Sequence, residues 1–462
     1  MTRAAPKRDA GHAAQDSSGR PATLHSRRAR RFAHGIALAL LDGEWTPKAA
    51  RARVELAVGA PAAWIAALVR RVRTRFPERP GDDDELWRML CTDRGLGRVW
   101  VERRPHIVRW YTPTMTMTPR WGVPTWPTTG QVAAALAHSP GELSWYADRR
   151  GWESRVEGPL RHYRYAWAAK KAGGHRMLET PKPRLKELQR RILHRVLDAI
   201  PPHPAAVGFR RGRSVRDHAE AHVGAPVLLR MDFEDFFLTT RGSRVVRVFR
   251  AAGYPSQVAY TLAGLCTNVA PANVRAAPLP ADPALLAARN RAAARLAGPH
   301  LPQGAPTSPA LANLCAWRLD RRLAGLARAL RLTYTRYADD LAFSGALSAH
   351  AADGLAARVA AISAEEGYTV NHRKTRVMRA SQRQILGGIV VNERPNVPRP
   401  DYDLLKATLH NCVRHGPSEQ NREARPDFRA HLAGRVAWVA FLNPSRGAKL
   451  QALLDQIVWG ER

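Results

Sequence analysis

The sequence predicts an α+β protein, a region of mixed strands and helices with helical segments on both sides of it in the chain, and three observations carry that reading. From Phe32 to about Arg73 helix-forming residues dominate, with Trp64, Ile65, Leu68 and Val69 at helical spacing. From about Arg161 the pattern changes to strands and helices punctuated by turn residues. After Pro400 amphipathic helix returns, first through Leu404, Leu405, Leu409 and Val413, then through Val436, Val439, Leu442, Leu450 and Leu453.

Charge narrows the function classes. The chain has 462 residues with 73 Lys+Arg against 39 Asp+Glu, a formal net charge of +34. A field of that size and sign favours polyanions and makes binding salt-dependent. At 45% hydrophobic residues the chain can bury a core, which excludes a wholly disordered basic tail. The longest charge-free apolar stretch, Leu56 to Val69, carries Gly59 and Pro61 and falls short of the roughly 18–20 residues that cross a bilayer. Residues Met1 to Arg31 show no apolar signal core, and Cys91, Cys266, Cys315 and Cys412 lie far apart without zinc-like spacing. A cytoplasmic protein with reduced thiols and no membrane partner is the expectation.

In chain order, residues 1–31 read as a basic disordered arm and 32–150 as a helical extension, with Pro77 and Pro80 closing its first part. Trp110 to Trp126 reads as irregular, then Thr129–Ala137 and Ser139–Tyr146 as short helices, the second with Ser139 as N-cap and Pro140 behind it. Residues 161–214 hold 14 Lys+Arg against 3 Asp+Glu, so much of the excess charge sits there. Pro271 to Pro299 reads as a lobe or spacer around an Ala-rich helix, Pro283 to Leu296. Residues 393–462 are nearly balanced, 11 Lys+Arg against 8 Asp+Glu.

The chemistry concentrates in three places. Val227 to Met231 reads as a buried strand that delivers Asp232, and a carboxylate there needs a cation, a hydrogen-bond set or the surface. Leu332–Tyr337 and Leu341–Ser344 flank Ala338-Asp339-Asp340 as a hairpin with acids at its tip. If the two are sheet neighbours, Asp232 and Asp339 converge. Three hard oxygen ligands suit Mg²⁺, and two such ions clamp both oxygens of an in-line phosphoryl transfer. Pro302 to Pro309 reads as a tight loop with Ser308 as N-cap, placing Gln303 beside a nucleotide.

Asp232-x-x-x-x-Phe237, Gln303-Gly304-x-x-x-Ser308-Pro309 and Tyr337-Ala338-Asp339-Asp340, in that order, resemble motifs A, B and C of reverse transcriptases. Gly367-Tyr368-x-x-Asn371-x-x-Lys374-Thr375 resembles motif D and Leu386-Gly387-Gly388-Ile389-Val390-Val391-Asn392 the primer-grip region. Lys170-Lys171-Ala172-Gly173-Gly174-His175-Arg176 and Gly208-Phe209-Arg210-Arg211-Gly212-Arg213 resemble fingers motifs. Within the family the bacterial retron branch fits best, through His203 to Phe209 and His218-Ala219-Glu220-Ala221-His222. Here His218 stands where that branch has Asn, and Leu386-Gly387-Gly388 where it has Val-Thr-Gly. The pair His218/His222 has helical ligand spacing but no third ligand nearby, so no zinc site is read from it.

The resemblance implies a right-hand polymerase: fingers over 151–225, palm over 226–392, and a helical thumb over 393–462. It implies that Asp232, Asp339 and Asp340 are catalytic and hold two Mg²⁺ ions. It implies nucleotide contacts from Lys170, Lys171, Arg176, Phe233, Phe237, Gln303 and Lys374, and RNA contacts from Arg210, Arg211, Arg213 and His222. Phe237, five positions after Asp232, would exclude a ribose 2′-hydroxyl. Lys374 would act as general acid toward pyrophosphate or as a phosphate contact. The implied function is RNA-directed DNA synthesis, with dNTPs, on a cognate structured noncoding RNA that serves as template and primer. The product would be RNA-linked single-stranded DNA (msDNA), in antiphage defence, with an accessory effector. The rivals are a non-retron bacterial or group II intron-like reverse transcriptase and an inert RNA-binding scaffold.

Overall fold

The computed structural model describes Leu24 and residues 26–459, apart from Asp82, Thr114, Thr116, 171–174 and 277–282. Two compact units emerge. One gathers the described residues up to Thr118 with Thr125–Ala135 and Gly253–Ala259; the other gathers Pro119–Pro124, Leu136–Ala252 and the chain from Tyr260 onward. The helix Pro140–Ala147 therefore belongs with the second unit.

The first unit is built on the helices Arg27–Leu41, Pro47–Val58, Ala63–Arg75, Asp83–Thr92 and Arg94–Arg103. Ile65, Leu68, Val69 and Val72 face its core, as their spacing requires, and Trp64 packs at the edge. The first helix begins at Arg27, inside the stretch read as an arm, because the Ser26 hydroxyl accepts the Ala29 amide at 3.1 Å and Ala29 and Phe32 are buried. Residues 1–23 and His25 lie outside the described residues.

The second unit holds the sheets. β1 (Tyr163–Ala169) and β2 (His175–Pro181) form an antiparallel hairpin. β3 (Val227–Asp232), β4 (Thr333–Tyr337), β5 (Asp340–Gly345) and β6 (Arg376–Arg379) form an antiparallel sheet in the order β4-β5-β3-β6. Central β3 is apolar at four of its six positions because both its faces are covered, and Leu228, Leu229 and Met231 are fully buried. The helices Trp317–Ala329 and Ala349–Glu365 pack on this sheet. β7 (Ile385–Leu386) and β8 (Ile389–Val390) make a short hairpin whose turn, Gly387-Gly388, takes positive φ at both residues, 57° and 84°. The C-terminal helices Arg399–His415, Phe428–Leu442 and Pro444–Asp455 bury Leu405, Leu409, Val436 and Leu450 in one cluster with Leu386 and Ile389.

The segment read as a spacer is part of the core. Its helix Pro283–Leu296 buries Ala292 and Leu296 against Met177 of β2 and Leu238, and Arg295 pairs with Asp235 at 2.7 Å. In the second unit the sheets and the helices packed on them make an α+β assembly, and the first unit is helical. No helix among the described residues is long and apolar enough to cross a membrane.

Candidate active site

The register of β3 against β5 sets Asp232 directly opposite Asp340. Asp339 precedes Asp340 in the two-residue turn from β4 to β5, where Ala338 takes φ 57°. The turn is tied to β3 by the Phe233 amide, which donates to the Asp339 carbonyl at 2.9 Å. On the other side the Asn371 amide donates to the Asp232 carbonyl at 2.7 Å and the Glu234 amide to the Thr369 carbonyl at 2.8 Å. Three acids are thus delivered to adjacent strand ends by backbone pairing alone.

Each carboxylate has a different electrostatic setting. Lys374 Nζ lies 2.9 Å from Asp232 Oδ1. Arg230, on β3 like Asp232, donates from Nε to both oxygens of Asp340, at 2.9 and 3.0 Å. Burial nonetheless pushes the Asp340 carboxyl up to about 6, with Asp232 and Asp339 adding to the rise against the pull of Arg230. Asp339 is also raised, by burial first and then by Asp232, while Lys374 and Lys170 oppose the shift. Adjacent acids that resist joint ionisation, with hard oxygen donors, are a donor set suited to a divalent cation. Among the described residues no three acids, histidines or cysteines are gathered into a ready-made metal cage, and Lys374 and Arg230 supply the positive charge.

Behind the turn lies a support that a linear reading does not show. Arg336 of β4 is fully buried and forks onto Asp320, Nε to Oδ1 at 2.7 Å and Nη2 to Oδ2 at 2.6 Å. Its Nη1 donates to Asn313 Oδ1 at 3.0 Å and to the Ala338 carbonyl at 2.9 Å, so the guanidinium holds the turn itself. Gly208 packs against the same turn, where a Cβ would meet Ala338 N at 2.9 Å. Next to it Phe209, 46% exposed, lies 5.8 Å from the Tyr337 ring and 6.4 Å from the half-buried Phe237 ring. These three rings form an aromatic wall.

Residues 168–390 match the family described as Reverse transcriptase (RNA-dependent DNA polymerase). The chain is 39% identical over 390 residues to the Retron Mx65 reverse transcriptase of Myxococcus xanthus, covering 83% of each chain. The Retron Mx162 reverse transcriptase of the same organism is 33% identical over 71% of this chain and 66% of its own. The Retron Ec86 reverse transcriptase of Escherichia coli is 31% identical over 54% of this chain and 70% of its own. This chain belongs to the retron reverse transcriptases. It is an RNA-directed DNA polymerase.

In this retron reverse transcriptase the remaining expected site residues are spread along the unit. Lys170 follows β1, and Arg176 is exposed on β2 opposite Ala168. Lys171 lies outside the described residues. Gln303 is half-buried, and its carbonyl accepts the Glu179 amide of β2 at 2.9 Å. Arg211 is exposed, Arg213 pairs with Asp217 at 2.9 Å, and Arg210 turns Nη1 to the Ala206 carbonyl at 3.2 Å.

Three expectations change. His222, expected to contact RNA, is instead buried, with Nδ1 2.7 Å from Ser344 Oγ and Nε2 2.7 Å from Thr335 Oγ1, while His218 Nδ1 meets the same Thr335 oxygen at 2.6 Å. The two histidines therefore bind the helix Val215–Glu220 and the turn after it to both strands of the β4–β5 hairpin. The Phe233 ring is also buried, stacked on Phe236 at 5.9 Å and beside Tyr368 at 5.3 Å, and its amide is spent on Asp339, so it packs the core. Ser308 is the first helical residue rather than the cap; Thr307 takes the cap position, and Ser308 Oγ closes the loop by donating to the Pro302 carbonyl at 2.7 Å. Sequence reasoning missed Arg230, Arg336, Asp320 and Phe209. The signal for Arg336 was a charge at an inward position of a β-prone run, and for Phe209 a ring beside Gly208.

Proposed function

We propose that this polymerase copies a cognate structured noncoding RNA, which is both template and primer, into RNA-linked single-stranded DNA. The observation that carries this is the pairing of Asp232 with Asp340 around Asp339, in a chain 39% identical to a retron reverse transcriptase. In this reading fingers span 151–225, palm 226–392 and thumb 393–462.

Asp232, Asp339 and Asp340 hold two Mg²⁺ ions, which when bound lower the pKa of the primer hydroxyl and offset the charge of the departing pyrophosphate. The chain's own groups orient the rest. Lys170, Lys171 and Arg176 bind the triphosphate, the lysines as point charges and the arginine as a fork. Lys374, already beside Asp232, meets the same phosphates. Phe237, backed by Phe209, lies against C2′ of the incoming sugar and selects dNTPs, and Gln303 and Tyr337 border the new pair. Arg210, Arg211 and Arg213 meet the RNA backbone.

Synthesis starts from an internal guanosine 2′-hydroxyl of the RNA and yields msDNA, in the cytoplasm, in antiphage defence with an accessory effector. The test is co-expression of the gene with its neighbouring noncoding locus. Recovery of a discrete DNA that shortens on debranching and loses its RNA to ribonuclease is the expected result. An active preparation that yields no RNA-linked DNA would overturn the retron product while leaving polymerase activity intact.

A further inference from the structure

The second unit carries a cleft whose lining includes none of the residues assigned to the polymerase site. A cavity of about 410 Å³ is lined by Tyr146, Asp148, Arg149, His162, Tyr260 and Gly264 among others. That volume lies within the roughly 300–1,000 Å³ of small-ligand sites. A second hollow of about 490 Å³ is lined by Trp145, Arg149, Arg150 and Trp152 and shares Arg149 with the first. The walls are fixed. A Cβ on Gly264 would fall 2.2 Å from the Ala147 carbonyl, so the helices Pro140–Ala147 and Ser256–Cys266 meet at their backbones.

The linings of the two hollows combine aromatic faces with arginines, Tyr260 in the first and Trp152 in the second, and Arg155 lies beside Trp152 outside both linings. Tyr260 is 43% exposed with the Arg149 guanidinium 5.5 Å from its ring centre, and Trp152 is 44% exposed with the Arg155 guanidinium at 5.3 Å. The acids of the cleft are turned inward. Asp148 accepts the amides of Trp152 and Glu153, and buried Glu153 accepts the His162 amide at 2.8 and 2.9 Å. His162 itself is buried between Trp145 and Tyr146, ring centres 5.2 and 5.3 Å away, and its Nε2 has no hydrogen-bond partner. A lining of exposed rings, outward arginines and one unmatched buried polar atom suits a flat heteroaromatic group attached to a phosphate chain.

We propose that this Trp152–Tyr260 cleft binds an unpaired nucleotide of the folded RNA, its base against the aromatic faces and its phosphates on Arg149, Arg150 and Arg155. The proposal rests on the reading that the polymerase holds a structured RNA. A base in a duplex cannot enter, so the site selects loops and bulges, and it gives the enzyme a hold on its RNA that is separate from the acids.

The experiment measures binding of a fluorescent 12-nucleotide oligouridylate to the full chain, with a blunt RNA/DNA hybrid in excess to occupy the polymerase cleft. Trp152→Ala and Tyr260→Ala should each weaken binding about five- to a hundred-fold, the range of stacking one base. Trp152→Phe and Tyr260→Phe should restore it to within threefold, and affinity for the blunt hybrid should stay within twofold. A probe carrying 4-thiouridine should cross-link to peptides containing Trp152 or Tyr260. Alanine variants that bind like wild type, or cross-links confined to other segments or to none, would overturn the site. A wild-type protein that extends no primer on RNA would instead break the reading on which it rests, so the two failures are distinguishable.

Discussion

Arg230 and Asp340 lie on neighbouring strands with the guanidinium forked on the carboxylate, Nε at 2.9 and 3.0 Å and Nη2 at 2.8 Å. Arg230 is two residues before Asp232 on the same strand, so one strand supplies both Asp232 and the cation that orients Asp340. Removing the fork leaves Asp340 buried without its partner. Arg230→Met should lower stability by about 1–2 kcal/mol, less than a fully buried pair because the arginine side chain is 35% exposed. Single-turnover extension should slow about tenfold, and Arg230→Lys should recover part of it, since an ammonium cannot make the bidentate contact. Thermal unfolding and rapid-quench extension measure the two effects.

Arg336 and Asp320 are fully buried on both sides of their ion pair, and Arg336 also holds the Ala338 carbonyl of the turn that carries Asp339. Asp320→Ala should therefore cost about 3–5 kcal/mol, because it strands a buried guanidinium. The double variant Asp320→Ala/Arg336→Met should be more stable than Asp320→Ala alone. Urea midpoints for the three proteins decide this.

Burial holds His218 at about 3 and His222 at about 4, below the ordinary histidine value of about 6.5, with the His222 charge next in the case of His218. The unfolded chain takes up these protons first. Their contribution is complete above about pH 6.5 and is lost as pH falls toward 4, by about 1.4 kcal/mol per pH unit for each histidine. His162, also lowered to about 4 by burial, adds a third. Urea unfolding at pH 7 and pH 5 should show the loss, and His222→Gln should reduce it by about one histidine's share.

Among the three arginines expected to meet RNA, Arg211 is exposed while Arg213 is paired with Asp217 and Arg210 with a backbone carbonyl. Arg211→Ala should reduce the slope of log affinity against log salt by about 0.7–0.9, one phosphate contact. Arg213→Ala should change it less. Binding titrations of one RNA across a salt series read both slopes.

Much of the site was legible because its parts are local in sequence. An apolar strand ending in Asp232 and a β-prone run broken by Ala338-Asp339-Asp340 need only their own residues to be recognised, and the sheet pairing then brings them together. What was not legible depends on partners far along the chain. Arg230 reaches Asp340 across 110 residues, and His222 reaches Ser344 across 122. A histidine pair at helical spacing looks the same in sequence whether it faces RNA or bridges two hydroxyls in the core. The ring of Phe233 was misjudged for a related reason. It follows Asp232, yet strand alternation turns it to the opposite face, onto Phe236 and Tyr368. Ser308 and Thr307 differ by one position, and loop closure through the Pro302 carbonyl, a contact within the loop, decided which of them caps.

Primer extension on an RNA template with dNTPs, wild type against Asp339→Asn, tests the central claim most directly. Asp339→Asn keeps the size of the side chain, and the turn amide contact runs through its backbone, so the fold should persist as judged by an unchanged urea midpoint. The expected result is DNA synthesis by wild type and a loss of about 10³-fold or more in the variant, a barrier increase of about 4 kcal/mol. A folded Asp339→Asn protein that extends the primer within tenfold of wild type would contradict the assignment of the catalytic centre to Asp232, Asp339 and Asp340.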